Sequence, residues 1–260
     1  MEGVLICIAR TRGLGTTCGE SSRQDSTVSN RDHSLARRAL AALDCLGHDC
    51  ALCGARCGPE LLCEACAASL PELPEHCPRC ALPSPRASLC GSCLAAPPHF
   101  DETTALWLYE FPCDRLVQAL KYRASLGLAS FFAQRLALRA PRAADLLVPM
   151  PLHPERLAQR GFNQALEIAR SLAARTGAAL EARAALRVQN TVPQTELPYE
   201  ERAKNIHGAF AGRVDLHGKT VAVVDDVMTT GATVNELARV LKRAGADRVH
   251  ILVVARAVLR

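Results

Sequence analysis

From about residue 99 onward, hydrophobic positions switch repeatedly between helical and extended spacing. Leu116, Val117 and Leu120 share one helical face, and a second helical stretch is expected around Phe131–Leu138. Asp145–Met150 reads as a short buried strand. Asn163–Arg175 carries Ala165, Ile168, Ala169 and Leu172 at helical spacing, with Asn163 placed to cap that helix. Thr220–Val224 is a β-branched apolar run and therefore a buried strand. Val234, Leu237, Ala238 and Leu241 mark the apolar face of a helix that Gly245 ends, and Arg248–Val254 is a final strand. Strands alternating with helices predict an α/β fold: a parallel sheet with flanking helices.

Upstream the texture differs. Residues 1–45 sustain no hydrophobic period and carry a Ser/Thr/Arg/Asp-rich stretch from Thr16 to Ser34, so a disordered extension is expected, with a short helix over Leu35–Leu46. A start codon placed too far upstream explains the same stretch equally well. Residues 46–98 form a cysteine module closed by Pro97-Pro98, and residues 99–260 the α/β domain.

Eight of the 13 cysteines form four C-x-x-C pairs: Cys50/Cys53, Cys63/Cys66, Cys77/Cys80 and Cys90/Cys93. The last two pairs repeat the first two at an offset of 27 residues, which marks an internal duplication. Each unit offers four thiolates, enough for one tetrahedral zinc ion. Pairing within each repeat closes the shortest loops, placing Cys50, Cys53, Cys63 and Cys66 on one ion and Cys77, Cys80, Cys90 and Cys93 on the other. An interleaved pairing of alternate turns stays open. A closed shell of four thiolates leaves no open position, so the zinc role is structural. Cys45 and Cys57 have no partner at ligand spacing and read as ordinary thiols.

Composition adds three limits. The longest apolar runs, such as Ile251–Ala255, are far too short to span a bilayer. Met1–Arg10 has no basic segment ahead of its apolar residues, so no signal peptide and a cytoplasmic location are expected. A net charge of +5 suits a polyanionic ligand, a sugar polyphosphate or a nucleic acid, without choosing between them.

The chemical centre is Val221–Thr233: a buried strand, the acid pair Asp225 and Asp226, the loop Val227, Met228, Thr229, Thr230, Gly231 and Ala232, then Thr233 opening a helix. Loop amides and a helix N-terminus make an anion site, and Gly231 permits close backbone approach. Two carboxylates repel a phosphate, so they are expected to face neutral hydroxyls or a metal. A ribose diol with Mg²⁺ nearby meets both demands.

At these residues the chain resembles the phosphoribosyl pyrophosphate (PRPP) motif of type I phosphoribosyltransferases. Residues 46–260 as a whole resemble the ComF family, which joins a zinc ribbon module to a phosphoribosyltransferase domain. Leu120-Lys121-Tyr122, Val148-Pro-Met-Pro-Leu-His153, Arg160-Gly-Phe-Asn-Gln164 and Arg202-x-x-Asn205 carry this resemblance further. It implies that Asp225 and Asp226 contact the ribose hydroxyls and that Thr229–Thr233 hold the 5′-phosphate. For the pyrophosphate it leaves Lys121, Arg156 and Arg160, with Arg202 and Lys204 on a segment that could close over the site. A solvated basic face fits any one of these cations equally. Gln189–Asn205 fits a lid or a surface linker, and His153 fits a structural role better than a pocket role.

Two functions are compatible with these residues. One is transfer of phosphoribose to an unidentified nucleobase-like acceptor. The other is a non-catalytic PRPP or nucleotide sensor whose ribbons engage single-stranded DNA, the DNA-uptake machinery or a protein.

Overall fold

The computed structural model describes residues 48–58, 60–123, 125–140, 144–189 and 206–258. The expectations for residues 1–45, for Arg202 and Lys204, and for nearly all of Gln189–Asn205 fall outside them.

Each cysteine unit contributes one short helix, α1 (Glu64–Ala68) and α2 (Gly91–Ala95). There follow β1 (Glu102–Leu108), α3 (Cys113–Arg123), α4 (Leu126–Arg139), β2 (Leu146–Pro149), α5 (Pro154–Arg160), α6 (Gln164–Thr176) and the two-residue β3 (Ala179–Leu180). The short strands β4 (Ala185–Arg187) and β5 (Phe210–Gly212) pair antiparallel. The chain closes with β6 (Thr220–Met228), α7 (Ala232–Arg243) and β7 (Arg248–Arg256).

The main sheet has the order β1-β7-β6-β2-β3, and every pairing in it is parallel. β6 is longer than the apolar run implied. It continues through Asp225 and Asp226 because β7 pairs with it as far as Met228, opposite Arg256. The strand Glu102–Leu108, at the sheet edge, is an addition to the sequence reading.

Both faces of the sheet are covered, which is why its central strands read as unbroken hydrophobic runs. Val221 and Val223 pack with Val249, Ile251 and Val253 against Val234, Leu237 and Leu241 of α7. Ala222 and Val224 point the other way, with Leu252 and Val254, into a layer that holds Leu116, Leu120, Phe132, Leu136, Ile168 and Leu172 of α3, α4 and α6.

The cysteine units straddle the β1 edge. Cys50, Leu62 and Leu70 of the first join the α3/α4/α6 layer, whereas Cys77, Cys80, Ala81 and Cys93 of the second join the α7 layer. The segment between them crosses the open edge of β1: Leu108 N–H donates to Pro71 O at 2.9 Å, and Glu72 pairs with Trp107. An edge strand that would otherwise expose unpaired backbone groups is thereby covered.

Candidate functional site

In parallel α/β sheets, ligands bind beyond the carboxyl ends of the strands, where neighbouring strands send their connections in opposite directions. Here β2 leads through α5 and α6 outward to β3, and adjacent β6 leads through α7 back to β7. A cavity of about 580 Å³ lies at that divergence. It is lined by Asp225, Asp226, Val227, Thr229 and Thr233 from the β6–α7 turn, by Arg156 and Arg160 of α5, by Lys121 of α3 and by Arg187 of β4.

Local structure fixes these positions. Asn163 caps α6 by accepting from Ala165 N–H at 3.0 Å, and its amide donates to Met150 O at 3.0 Å, tying the helix to the end of β2. His153 caps α5, its ring nitrogen accepting from Glu155 N–H at 3.3 Å, which gives it a structural contact. Arg156 and Arg160, four apart on α5, both line the cavity. The Arg160 guanidinium donates to Gln164 Oε1 at 2.6 Å and lies 5.7 Å from the centre of the Tyr122 ring. Gly231 has φ +83°, and a Cβ there would lie 2.8 Å from Met228 Cε. The positive φ is what favours glycine here, since the Met228 methyl ends a flexible side chain that can shift. Thr230 Oγ1 accepts from Ala232 N–H at 3.2 Å at the start of α7.

Successive residues of a strand face opposite sides, and the two carboxylates accordingly meet different surroundings. Asp226, 3% exposed, faces α3, where Lys121 Nζ lies 2.8 Å from its Oδ2. Asp225 accepts from Asp226 N–H at 2.8 Å. Burial, followed by the adjacent Asp226 charge, pushes the Asp225 carboxyl up from 3.8 to about 8. Burial lowers Lys121, but the charge of Asp226, its hydrogen bond to Lys121 and the charge of Asp225 together outweigh it, so Lys121 is raised. Burial and neighbouring Arg156 bring Arg187 down to about 10.

Lys121, Arg156, Arg160 and Arg187 set four cations against two carboxylates, so the cavity carries excess positive charge. Of the loop residues read from sequence, Val227, Thr229 and Thr233 line it, Met228 is buried beneath it, and Thr230, Gly231 and Ala232 form the turn. Arg187 is an addition: a lone arginine on a three-residue strand carries no motif. Tyr122, Phe162 and Gln164 also line the cavity and belong to the Lys121-Tyr122 and Arg160–Gln164 stretches.

Residues 157–258 match the family model described as phosphoribosyl transferase domain. DNA utilization protein YhgH of Salmonella typhimurium is 34% identical over 199 residues, spanning 73% of this chain and 88% of that protein. Competence protein F of Haemophilus influenzae is 28% identical over 208 residues, or 75% of this chain and 90% of its own. The chain belongs to the ComF family. Competence protein ComFC of Bacillus subtilis, 26% identical over 197 residues, covers 72% of the chain and 80% of its own length. The sheet at the base of the cavity is thus that of a type I phosphoribosyltransferase domain.

The same ComF-family chain carries two sets of sulfur donors. Cys50, Cys53, Cys63 and Cys66 gather in one group and Cys77, Cys80, Cys90 and Cys93 in the other, with all sulfurs of each group within 4.8 Å of one another. The pairing is within each repeat, not interleaved. Four sulfurs bound tetrahedrally at about 2.3 Å from one ion lie about 3.8 Å apart. The Cys53–Cys63 and Cys80–Cys90 sulfurs are 3.8 and 3.6 Å apart, so the geometry fits one ion per group.

Crowding also leaves the thiols unequal. Amide donors from Cys53, Cys63 and Leu52 outweigh burial and bring Cys50 down to about 6, whereas hydrogen bonding to Cys53 and Cys63 drives Cys66 up to about 12. Four sulfurs gathered this closely offer a complete ligand set for one cation. Cys57 stands apart, its Sγ donating to Glu60 O at 3.1 Å, and burial together with nearby Cys50 pushes it up. No helix among the described residues is long and apolar enough to cross a membrane.

Proposed function

We propose that the chain binds PRPP in the β2/β6 cavity and transfers its phosphoribosyl group to a nitrogenous acceptor. The supporting observation is the convergence there of two buried carboxylates, a hydroxyl-bearing turn at a helix N-terminus and four cations. Thr229, Thr233 and the first amides of α7 hold the 5′-phosphate, assisted by the helix dipole. Asp225 and Asp226 accept from the ribose 2′- and 3′-hydroxyls. Because Lys121 is engaged with Asp226, it orients that carboxylate, leaving Arg156, Arg160 and Arg187 to face the pyrophosphate. Mg²⁺, bound with PRPP, supplies charge neutralisation for the leaving pyrophosphate.

In the reaction the bond from ribose C1 to pyrophosphate oxygen breaks, the oxygen keeping the bonding pair, as an acceptor nitrogen bonds to C1 and its N–H proton passes to solvent or to the departing pyrophosphate. The positive charge that develops on the ribose is stabilised by Asp226, and the departing negative charge by the arginines. Pyrophosphate release from Mg²⁺-PRPP, measured against a panel of nucleobases, tests this. Release with at least one base, lost in Asp225→Asn, supports transfer. Tight PRPP binding without release from any base supports the sensor reading instead.

The metal at each four-cysteine group is proposed to be zinc, which four thiolates select and which leaves no open coordination position. A role near DNA, carried over from the relatives' names, is supported by a second cavity of about 640 Å³ beside Cys53 and Cys66. Phe111 and Tyr122, each 75% exposed, line it with Arg115 and Arg123. Aromatic faces interleaved with cations suit single-stranded nucleic acid. Binding of a labelled oligonucleotide should fall with Phe111→Ala and Tyr122→Ala. Binding that survives both changes and metal chelation sinks this assignment.

A further inference from the structure

The phosphate turn and the second four-cysteine group meet at one buried side chain. Arg256, the last residue of β7, is 2% exposed and is among the largest fully buried side chains of the described residues. Its Nε donates to Cys80 O at 2.8 Å. Its Nη1 donates to Met228 O at 2.9 Å, to Ala257 O at 2.6 Å and also to Thr229 O. A guanidinium keeps its charge when buried, so it holds such carbonyl dipoles firmly.

Two consequences follow from peptide geometry. A planar trans peptide sets the carbonyl of one residue opposite the N–H of the next. With Met228 O and Thr229 O drawn onto Arg256, the amides of Thr229 and Thr230 point away from it, and Thr229 itself lines the cavity. At the other end, the grip on Cys80 O falls within the Cys77–Cys80 turn, half of the second sulfur group. β1 holds that turn as well: Thr103 N–H donates to Pro78 O at 3.0 Å and Thr103 Oγ1 to Arg79 O at 2.6 Å. The Met228 side chain packs in the same buried layer as Cys77, Cys80 and Cys93.

We propose that Arg256 couples the second four-cysteine site to the phosphate turn, so that metal retention there and ligand binding in the cavity strengthen each other. The inference rests on the PRPP reading of that cavity. Coupling between two sites is reciprocal in binding free energy: a ligand that orders the turn tightens the metal, and loss of the metal weakens the ligand; where the tightening lies in the bound state it is read as slower release. The first four-cysteine group packs on the opposite face of the sheet from Met228 and Cys80, which makes it the internal comparison.

The test uses the full zinc-loaded chain, with zinc release followed by a chromogenic chelator. Saturating Mg²⁺-PRPP is expected to slow release of one of the two ions by about tenfold, within the ordinary range of such couplings. Arg256→Gln should hasten release of that ion without ligand and abolish its protection by PRPP. Thr103→Val loosens the same turn from the β1 side, so it should hasten release yet preserve the PRPP protection ratio. Calorimetry separates the two ideas. If PRPP binds but slows neither ion, or both equally, the coupling is overturned. If PRPP does not bind, the cavity reading fails, and ligand-free release from Arg256→Gln decides the link: unchanged release sinks it. Should Arg256→Gln fail to fold, wild type and Thr103→Val with and without PRPP decide the matter: slowing only of the ion whose release Thr103→Val hastens upholds the coupling, and any other pattern overturns it.

Discussion

Replacing Asp225 by asparagine should stabilise the ligand-free protein while destroying its proposed function. The amide keeps the shape and the oxygen that accepts Asp226 N–H, but it never ionises. In the native protein, burial and the Asp226 charge raise the Asp225 carboxyl from 3.8 to about 8. Between those values the unfolded chain loses a proton that the native state keeps, so the native state loses stability as pH rises. The loss amounts to at most about 1.4 kcal/mol per pH unit, or about 4 kcal/mol by pH 7. Coupling to Asp226 and Lys121 spreads that titration over the group, and about half, ~2 kcal/mol, is a reasonable share. For a domain of this size it corresponds to a rise of roughly 5 °C in Tm. Thermal and urea melts of wild type and Asp225→Asn between pH 6 and 8.5, where thiolate sites stay loaded, would show it. The advantage of the variant should be smallest at pH 6, grow with pH and level off above about 8. A variant less stable than wild type throughout, or a difference independent of pH, refutes the reasoning.

Three other changes probe different parts of the molecule. Lys121→Met leaves Asp226 buried without its cation and should cost about 3 kcal/mol in urea melts, most of it recovered by adding Asp226→Asn. Gly231→Ala meets both a φ of +83° and Met228 Cε at 2.8 Å. It should cost about 1–3 kcal/mol and weaken PRPP binding at the turn more than it alters melting of the cysteine units. Metal analysis should find two ions per chain, one for each four-cysteine group. Stripping them should destabilise the cysteine units in calorimetric melts, because each ion contributes on the order of 10 kcal/mol to its unit.

Much of the fold was legible because covering both faces of a parallel sheet forces long apolar runs, of which Thr220–Val224 and Arg248–Val254 are clear cases. The same rule hid the ends of those strands. Asp225, Asp226 and Arg256 are polar, so hydrophobic reading stopped short of them, yet pairing of β6 with β7 carries both strands on to Met228 and Arg256. Loop closure favoured grouping the sulfurs within each repeat but left the interleaved pairing open until the sulfur positions decided it. That the two cysteine units lie on opposite faces of the sheet is a tertiary fact with no trace in spacing. In the cavity, Asp225, Asp226, Thr229 and Thr233 were readable because they share one turn with a helix start. Arg187 was not, because only the folding of β4 toward the cavity gives it a role.

The most direct test is titration calorimetry of Mg²⁺-PRPP into the zinc-loaded chain and into the Asp225→Asn, Asp226→Asn double variant. The expected result is one saturable site per chain in the wild type and none in a double variant that melts at least as cooperatively. Equal binding by both proteins, or none by the wild type, would contradict the assignment of the β6–α7 turn as the PRPP site.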